Sequence, residues 1–533
     1  MDKQTLFING EVITVNEENE VKEAAAICGN KIIAVGSNDE ILALKTDESE
    51  IVDLAGRTLM PGLIDAHLHV TTIGLNTLSV SCKEEHIVSI EDLLMDLRKA
   101  AEKEAKGSWI RAWGYNDQKM TEKRYPTKEE LDSVSTDHPI VVTRACGHIK
   151  MVNTLALELA GITKDTPDPE GGIIVKDENG ELTGVLIETA GAPIAKKSAL
   201  TEEEFDRALA IASDLLIEKG ITTIHDASIS SPANLRALQR ASLTRNLKPR
   251  LYTMIGSAVN GEALVEKMLQ SGIYTGLGNE YFKIGPVKLF LDGSSSGPTI
   301  WTKEPYTSDP NDYGVRYYEQ DLVDGLFVEA HKQGWQITVH AQGDAAIDMI
   351  LSTIEKANEE CPRPNARHRI EHAGVATPDL IERMKAQGVV PTPNPAFLYE
   401  YGDGYLKNYG ERTNHMFPLK DYLEAGIPAA ITSDSPVTDF APMRGIHSAL
   451  VRKSQTGQEV GPNQKINLTE ALRMYTINSA YASFDEDMKG SLEVGKLADL
   501  VILDRSILNA KTDEILDIQV ECTIIDGEVV YQR

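Results

Sequence analysis

Over the first 57 residues apolar and polar positions alternate in short runs cut by turns: Leu6-Phe7-Ile8 before Asn9-Gly10, then Glu11 to Val15, Lys31 to Gly36 and Ile51 to Leu54. A period of two with Asn-Gly punctuation predicts strands and turns, with almost no helical period. The end of the chain repeats that texture in Ala498 to Asp504, Val520 to Ile525 and Glu528 to Tyr531, with Asp526-Gly527 as the turn. Neither end buries much alone. Two β-rich ends flanking a long middle predict that residues 1–57 and 488–533 meet in one small β-sandwich domain.

Residues 58–487 alternate short apolar runs with helix-period stretches, the pattern of a parallel sheet wrapped by helices. The candidate strands are Leu63 to His69, Ile221 to Ala227, Arg250 to Ile255, Pro286 to Asp292, Gln336 to His340, His368 to His372, Val389 to Pro393 and Ala429 to Asp434. Helical periods fall at Thr201 to Lys219, Leu322 to Gln333, Ala345 to Asn358 and Pro378 to Gln387. The economical architecture is an α/β fold built on a (β/α)₈ TIM barrel. The interval from the first of these strands to the second is far longer than one βα unit needs. It predicts a large insertion after barrel strand 1, over about residues 71–200, with extended segments at Trp109 to Tyr115 and Pro139 to Cys146 and a turn cluster at Pro167 to Gly172. Springing from the C-terminal end of a barrel strand, where active sites form, it is the candidate lid and specificity subdomain.

Charge narrows the function. Lys and Arg total 53 against 81 Asp and Glu, a net −28, and so acidic a chain lacks the basic face that duplex nucleic acid requires. No apolar run approaches the roughly 18–20 residues that span a bilayer, and the start of the chain lacks the plan of a secretory signal. The expectation is a cytoplasmic protein with neither nucleic acid nor membrane as partner. The five cysteines include no C-x-x-C pair, so metal chemistry must come from nitrogen and oxygen ligands.

Such ligands are present. In Pro61-Gly62-Leu63-Ile64-Asp65-Ala66-His67-Leu68-His69 the two histidines share one side of a strand, where two imidazoles can hold one cation. Lys288, His340, His372 and Asp434 recur at the ends of later candidate strands, and separate strand ends of one barrel converge on one place.

With these motifs in view, the chain resembles the amidohydrolase superfamily, in particular its family 3 branch of hydrolases like N-substituted formamide deformylase. The resemblance runs from the β-rich start through Pro61 to His69, Trp113-Gly114-Tyr115, Gly147-His148, Lys288 to Gly293, His340, His372 and Thr432-Ser433-Asp434 to Gly495-Lys496-Leu497-Ala498-Asp499-Leu500. It implies a distorted TIM barrel with a small β-sandwich, a binuclear zinc centre and a homodimer. It further implies that His67 and His69 hold the more buried metal and His340 and His372 the more exposed one. Asp434 would bind the first metal and shuttle the proton. An ammonium group cannot ligate a cation, but in related cyclic-amide hydrolases a strand lysine is carboxylated by carbon dioxide into an anionic bridge, and Lys288 occupies such a setting. The alternative is an uncarboxylated Lys288 paired with Asp292 in a one-metal site.

The implied reaction is cleavage of a non-peptide C–N bond in a small amide or N-acyl compound, with a water made acidic by two divalent cations and Asp434 as its base. Deamination or isomerisation at the same centre, and a non-catalytic relative, are the alternatives. His148 is a candidate substrate-binding residue, or else a solvent-facing histidine of the insertion. Trp113 and Tyr115 have the parity to form one aromatic substrate wall, or else fill the insertion's own core. His225 reads as a hydrogen-bonded barrel residue, and His331 and His368 as structural or solvent-facing. Gly293-Ser294-Ser295-Ser296-Gly297 satisfies the G-x-S-x-G nucleophile elbow, but the following Pro298-Thr299-Ile300-Trp301 reads as a loop rather than the helix an elbow requires.

Overall fold

The computed structural model describes residues 3–82, 86–144, 148–229, 231–257 and 261–533. Cys146 and Gly147 lie outside the described residues. The chain folds as two compact units, residues 1–70 with 212–533 and residues 71–211.

In the first unit, β1 (Leu63–Leu68), β2 (Ile221–Ile229), β3 (Arg250–Ile255), β4 (Phe282–Phe290), β5 (Ile337–Ala341), β6 (Arg369–His372) and β7 (Val390–Thr392) form one parallel sheet in chain order. Helices at 202–218, 320–332, 344–360 and 378–387 alternate with them as the sequence pattern predicts. The last shows why its ends fall where they do: Pro378 occupies the first turn, where its missing N–H costs nothing, and Gly388 at φ 63° ends the helix in the left-handed conformation.

The expected eighth strand, Ala429–Asp434, is not a strand. The segment does bridge the gap in a nearly closed barrel, since Ala430 N–H donates to Pro391 O (3.1 Å), Thr432 N–H to Pro393 O (3.2 Å) and Asp434 N–H to His67 O (2.8 Å). Pro391 and Pro393 have no N–H to return, so the reciprocal half of a ladder cannot form. A hydrophobic run satisfies the sequence signal for a strand without the partner that a regular ladder needs.

The chain ends form two further sheets, one shared by both ends and one built from the N-terminal end alone. The six-stranded sheet orders Glu528–Gln532, Val520–Ile525, Leu500–Leu503, Thr58–Pro61, Glu11–Ile13 and Val21–Lys22. The four-stranded sheet orders Lys31–Gly36, Ala24–Cys28, Gln4–Ile8 and Glu50–Asp53. Phe7, Ile27 and Leu59 share one apolar core with Leu500, Ile502 and Ile524. Ala24–Cys28 carries no sequence signal for a strand because alanine has low β-propensity. Its burial against both neighbours supplies the driving force instead.

A buried ion pair ties the C-terminal segment to the barrel. Arg250, at the start of β3, donates to both oxygens of Asp499 (2.7 and 3.0 Å) and to Asp526, with the Arg250 and Asp499 side chains 1% and 4% exposed. Arg250→Ala strands the Asp499 carboxylate in the interior and is expected to cost about 3–5 kcal/mol. Urea unfolding measures this; a loss under about 1 kcal/mol, the range of exposed pairs, would contradict it.

The second unit has its own six-stranded sheet, ordered Gly172–Lys176, Leu182–Glu188, Ile149–Val152, Ile140–Arg144, Ile110–Tyr115 and Val80–Ser81. One face packs Ile110, Ala112, Val142 and Met151 against Leu93, Leu94 and Leu97 of the helix at 90–103. Among the described residues no helix is long and apolar enough to cross a membrane.

Candidate metal centre

On β1, period two puts Asp65 and His67 on one side, and His69 continues that side just past the strand end. Asp65 is fully buried. Its Oδ1 accepts from the N–H groups of His67 (3.1 Å) and Ser433 (3.2 Å), holding β1 to the segment that carries Asp434, and burial pushes its carboxyl up to about 6.

The remaining side chains gather around His67, which is 1% exposed. Its Nε2 lies 3.4 Å from Asp434 Oδ1 and 3.4 Å from Lys288 Nζ, while Nδ1 faces Glu371 Oε2. His69 Nε2 lies 3.2 Å from Asp434 Oδ1, and the His67 and His372 rings are 4.8 Å apart. The His340 ring stands 4.5 Å from His372 and stacks on Phe290 at 5.2 Å. All six residues expected to form the centre are thus brought together.

Hydrogen bonds fix which imidazole nitrogens carry lone pairs. His372 Nδ1 lies 2.7 Å from Asn394 Oδ1 and His340 Nε2 lies 2.8 Å from Gly293 O. Both partners are acceptors, so those nitrogens hold the protons, leaving His372 Nε2 and His340 Nδ1 free to ligate. Burial pulls His69 and His372 below the ordinary histidine value and His340 down to about 4, so the three rings stay neutral near pH 7. Burial pushes the Asp434 carboxyl up, but His67 and His69 outweigh it and hold it well below the usual carboxylate range.

One ligand atom each from His67, His372 and Asp434 lies within 4.8 Å of the other two. Two imidazoles and a carboxylate at that spacing are the donor set a divalent transition metal requires. Two of the three have non-glycine left-handed backbones, His372 at φ 71° and Asp434 at φ 56°. Such conformations cost energy and cluster at functional sites. At His372 the conformation has a clear consequence: it breaks the strand's alternation, so that consecutive Glu371 and His372 both turn inward.

Lys288 is fully buried, and burial pulls its amine down to about 8, against the opposing pull of the Glu371 and Asp434 charges. The alternative pairing with Asp292 is not formed. Asp292 accepts instead from the N–H groups of Trp301 (3.1 Å), Gln342 (3.0 Å) and Gly343 (2.7 Å). The G-x-S-x-G serine is not a nucleophile either: Ser295 is 1% exposed, bonded to Tyr405 OH at 2.8 Å, and followed by turns.

The aromatic pair of the insertion requires correction. Gly114, at φ 82°, introduces a bulge between Trp113 and Tyr115 that reverses the parity. Tyr115 therefore joins Ile110 and Ala112 in that unit's core, fully buried with its hydroxyl donating to Arg124 O (2.6 Å), and cannot wall a substrate pocket. Trp113 stays on the opposite face, beside Thr143 and Lys150 in a cavity of about 320 Å³ within the second unit. His148 is exposed, with Nδ1 2.8 Å from Glu188 Oε2.

Four polar residues that surround these side chains escaped the sequence reading: Glu371, Arg369, Asn394 and Asp226. A signal existed for the first two, since Arg369 and Glu371 place charges two apart within a candidate barrel strand, and buried charges demand partners. Asp226 is fully buried within β2, where burial pushes its carboxyl up to about 7.

Two histidines outside the centre carry a pH prediction. Ile337 N–H donates to His368 Nδ1 (3.1 Å), His368 Nε2 to His331 Nδ1 (2.8 Å) and His331 Nε2 to Cys361 O (2.6 Å), a chain complete only when both rings are neutral. Burial holds both below the usual value near 6.5. The unfolded chain binds more protons below that value, so this stabilisation is present above pH 6.5 and lost as pH falls toward the folded values. Melting temperature is expected to drop between pH 7 and 5, and less so in His368→Gln; identical slopes would contradict the assignment.

A model of the amidohydrolase family matches residues 50–531. The chain is 28% identical to N-substituted formamide deformylase of Arthrobacter pascens, over 100% of this chain and 99% of that one. It is 30% identical to YtcJ of Bacillus subtilis strain 168, over 99% and 100% respectively. In structure it is similar to an uncharacterized metal-dependent hydrolase from Pyrococcus horikoshii, with a TM-score of 0.78, 26% identity and coverage of 96% and 99%. Nitrogen and carboxylate donors converging at barrel strand ends, in a chain matched almost end to end, lead to one conclusion: this protein belongs to the amidohydrolase family of metal-dependent hydrolases.

Proposed function

We propose that the protein hydrolyses a C–N bond in a small amide or N-acyl compound, using His67, His69, His340, His372, Asp434 and a carboxylated Lys288 to hold two divalent cations, with zinc as the metal. The observation that carries this reading is the convergence of His67, His372 and Asp434 within 4.8 Å beside a buried lysine. Lys288 supports it in a specific way: a lysine whose amine is pulled down to about 8 supplies the neutral nitrogen that carboxylation consumes. Cations bound there would polarise the substrate carbonyl and acidify the attacking water.

The protein's own groups do the rest. Asp434, ionised and buried, accepts the proton of the attacking water and returns it to the leaving amine nitrogen. His340 and His372, oriented by Gly293 O and Asn394, keep their free nitrogens inward. Phe290 against His340 and Phe397 against His372, with ring centroids 5.2 and 6.3 Å apart, exclude water from the flanks of both imidazoles. We read the two terminal sheets as one β-sandwich domain and the unit at 71–211 as the specificity subdomain.

The deformylase relative places N-substituted formamides first in a substrate panel, followed by other small N-acyl amines. Amine release is expected from at least one class, abolished by chelator and restored by zinc. Release that survives complete metal removal would overturn the reading.

A further inference from the structure

Glu371 is the most heavily bonded side chain near the centre, yet on this reading it binds neither metal nor substrate. Its Oε1 accepts from Thr338 Oγ1 (2.6 Å) and Arg369 Nε (2.8 Å). Its Oε2 accepts from Thr392 Oγ1 (2.8 Å), Arg369 Nη2 (2.9 Å) and His67 Nδ1. The donors come from β1, β5, β6 and β7, and every side chain in the set is at most 1% exposed. A carboxylate offers about four lone-pair sites, so five donors saturate it and leave it no freedom to turn. Arg369 is held in turn: it donates to Ala66 O (2.7 Å) and to His225 Nδ1 (2.9 Å).

We propose that Glu371 is the positioning residue of the centre, fixing His67 as its Nδ1–H tautomer with Nε2 turned toward Asp434 and Lys288, while Arg369 locks Glu371 against rotation. An ionised carboxylate can only accept. Of the two neutral tautomers of His67, only the Nδ1–H form satisfies the contact, and that form turns the Nε2 lone pair to where a cation is needed. The network also explains how an incompletely laddered barrel keeps its mouth in register. Through Glu371, Thr392 on β7 is tied to His67 on β1 across the gap that the segment at 429–434 closes only irregularly.

This inference rests on the reading of the site as a metal centre, so its test reads metal affinity directly. Apo-protein is titrated with zinc against a chromophoric chelator for wild type, Glu371→Gln, Thr392→Val and the control Asp485→Asn. Asp485 pairs with Lys283 at the opposite end of β4 and with Lys489 at 3.0 Å, so its loss lowers stability without touching His67. Glu371→Gln, whose amide nitrogen turns a donor toward donors, is expected to bind zinc about 10–100-fold more weakly. Thr392→Val, which removes one bond to Oε2, is expected to weaken binding in the same direction by less, and Asp485→Asn not at all. A folded Glu371→Gln with wild-type affinity overturns the proposal. Should that variant fail to fold, an unchanged Thr392→Val overturns it. An equal loss in Asp485→Asn overturns it too, because stability alone would then explain the effect. Absence of zinc affinity in wild type instead overturns the metal-centre reading, and this inference with it.

Discussion

Asp434→Asn is expected to lower kcat/KM for the cleaved amide by about 10²–10⁴-fold, the range that general acid–base catalysis supplies. Asparagine keeps the shape of the side chain and one oxygen within reach of His67 and His69. The backbone bonds that hold the position, Asp434 N–H to His67 O and to Thr432 Oγ1, do not involve the carboxylate. What disappears is the capacity to take a proton from the attacking water and return it to the amine. The loss of the proton path is therefore expected in kcat and kcat/KM alike, with the fold kept by circular dichroism. A variant active to within a few-fold of wild type would remove Asp434 from the proton path.

The second large effect concerns Lys288. Lys288→Ala is expected to lose one of two metal equivalents and to reduce turnover to background, because a carboxylated lysine is the only anionic oxygen donor proposed to bridge the cations. Lys288→Arg is the sharper comparison. It keeps a cation at the same place but cannot provide the neutral amine that carboxylation needs, and arginine does not deprotonate in proteins. It is expected to fail as completely as alanine. If Lys288→Arg were active with two metals bound, charge or packing rather than carboxylation would be the contribution of Lys288. Mass spectrometry of the intact chain under carbon dioxide, reading the carboxyl adduct on wild type and its absence in both variants, checks the same point without turnover.

Much of this architecture was legible in the residues because the physical signal was local. The candidate strands starting at Leu63, Ile221, Arg250 and His368 ended within about two residues of the observed ones, and His67 and His69 declared their shared side by spacing alone. The failures came where a distant partner, or in one case a single backbone conformation, decides the outcome. Ala429–Asp434 reads as a strand, and only its neighbour's two prolines prevent the ladder. Trp113 and Tyr115 read as one face, and a single left-handed glycine between them sends Tyr115 into the core. Glu371 was visible but silent, since strand alternation sets it opposite His372 unless the backbone kinks at φ 71°. That kink is imposed by the site and is not encoded by any propensity of Glu-His. Arg250 with Asp499 and Asp526 was likewise unreadable, because pairs more than two hundred residues apart leave no periodicity.

The most direct test of the central claim is elemental mass spectrometry of the protein purified without chelator, counting zinc, manganese, iron, cobalt and nickel per chain. Close to two equivalents, with zinc predominant, is the result predicted for a centre built from His67, His69, Lys288, His340, His372 and Asp434. One equivalent would contradict the bridged pair, and none, even after reconstitution with metal, would contradict the hydrolytic centre itself.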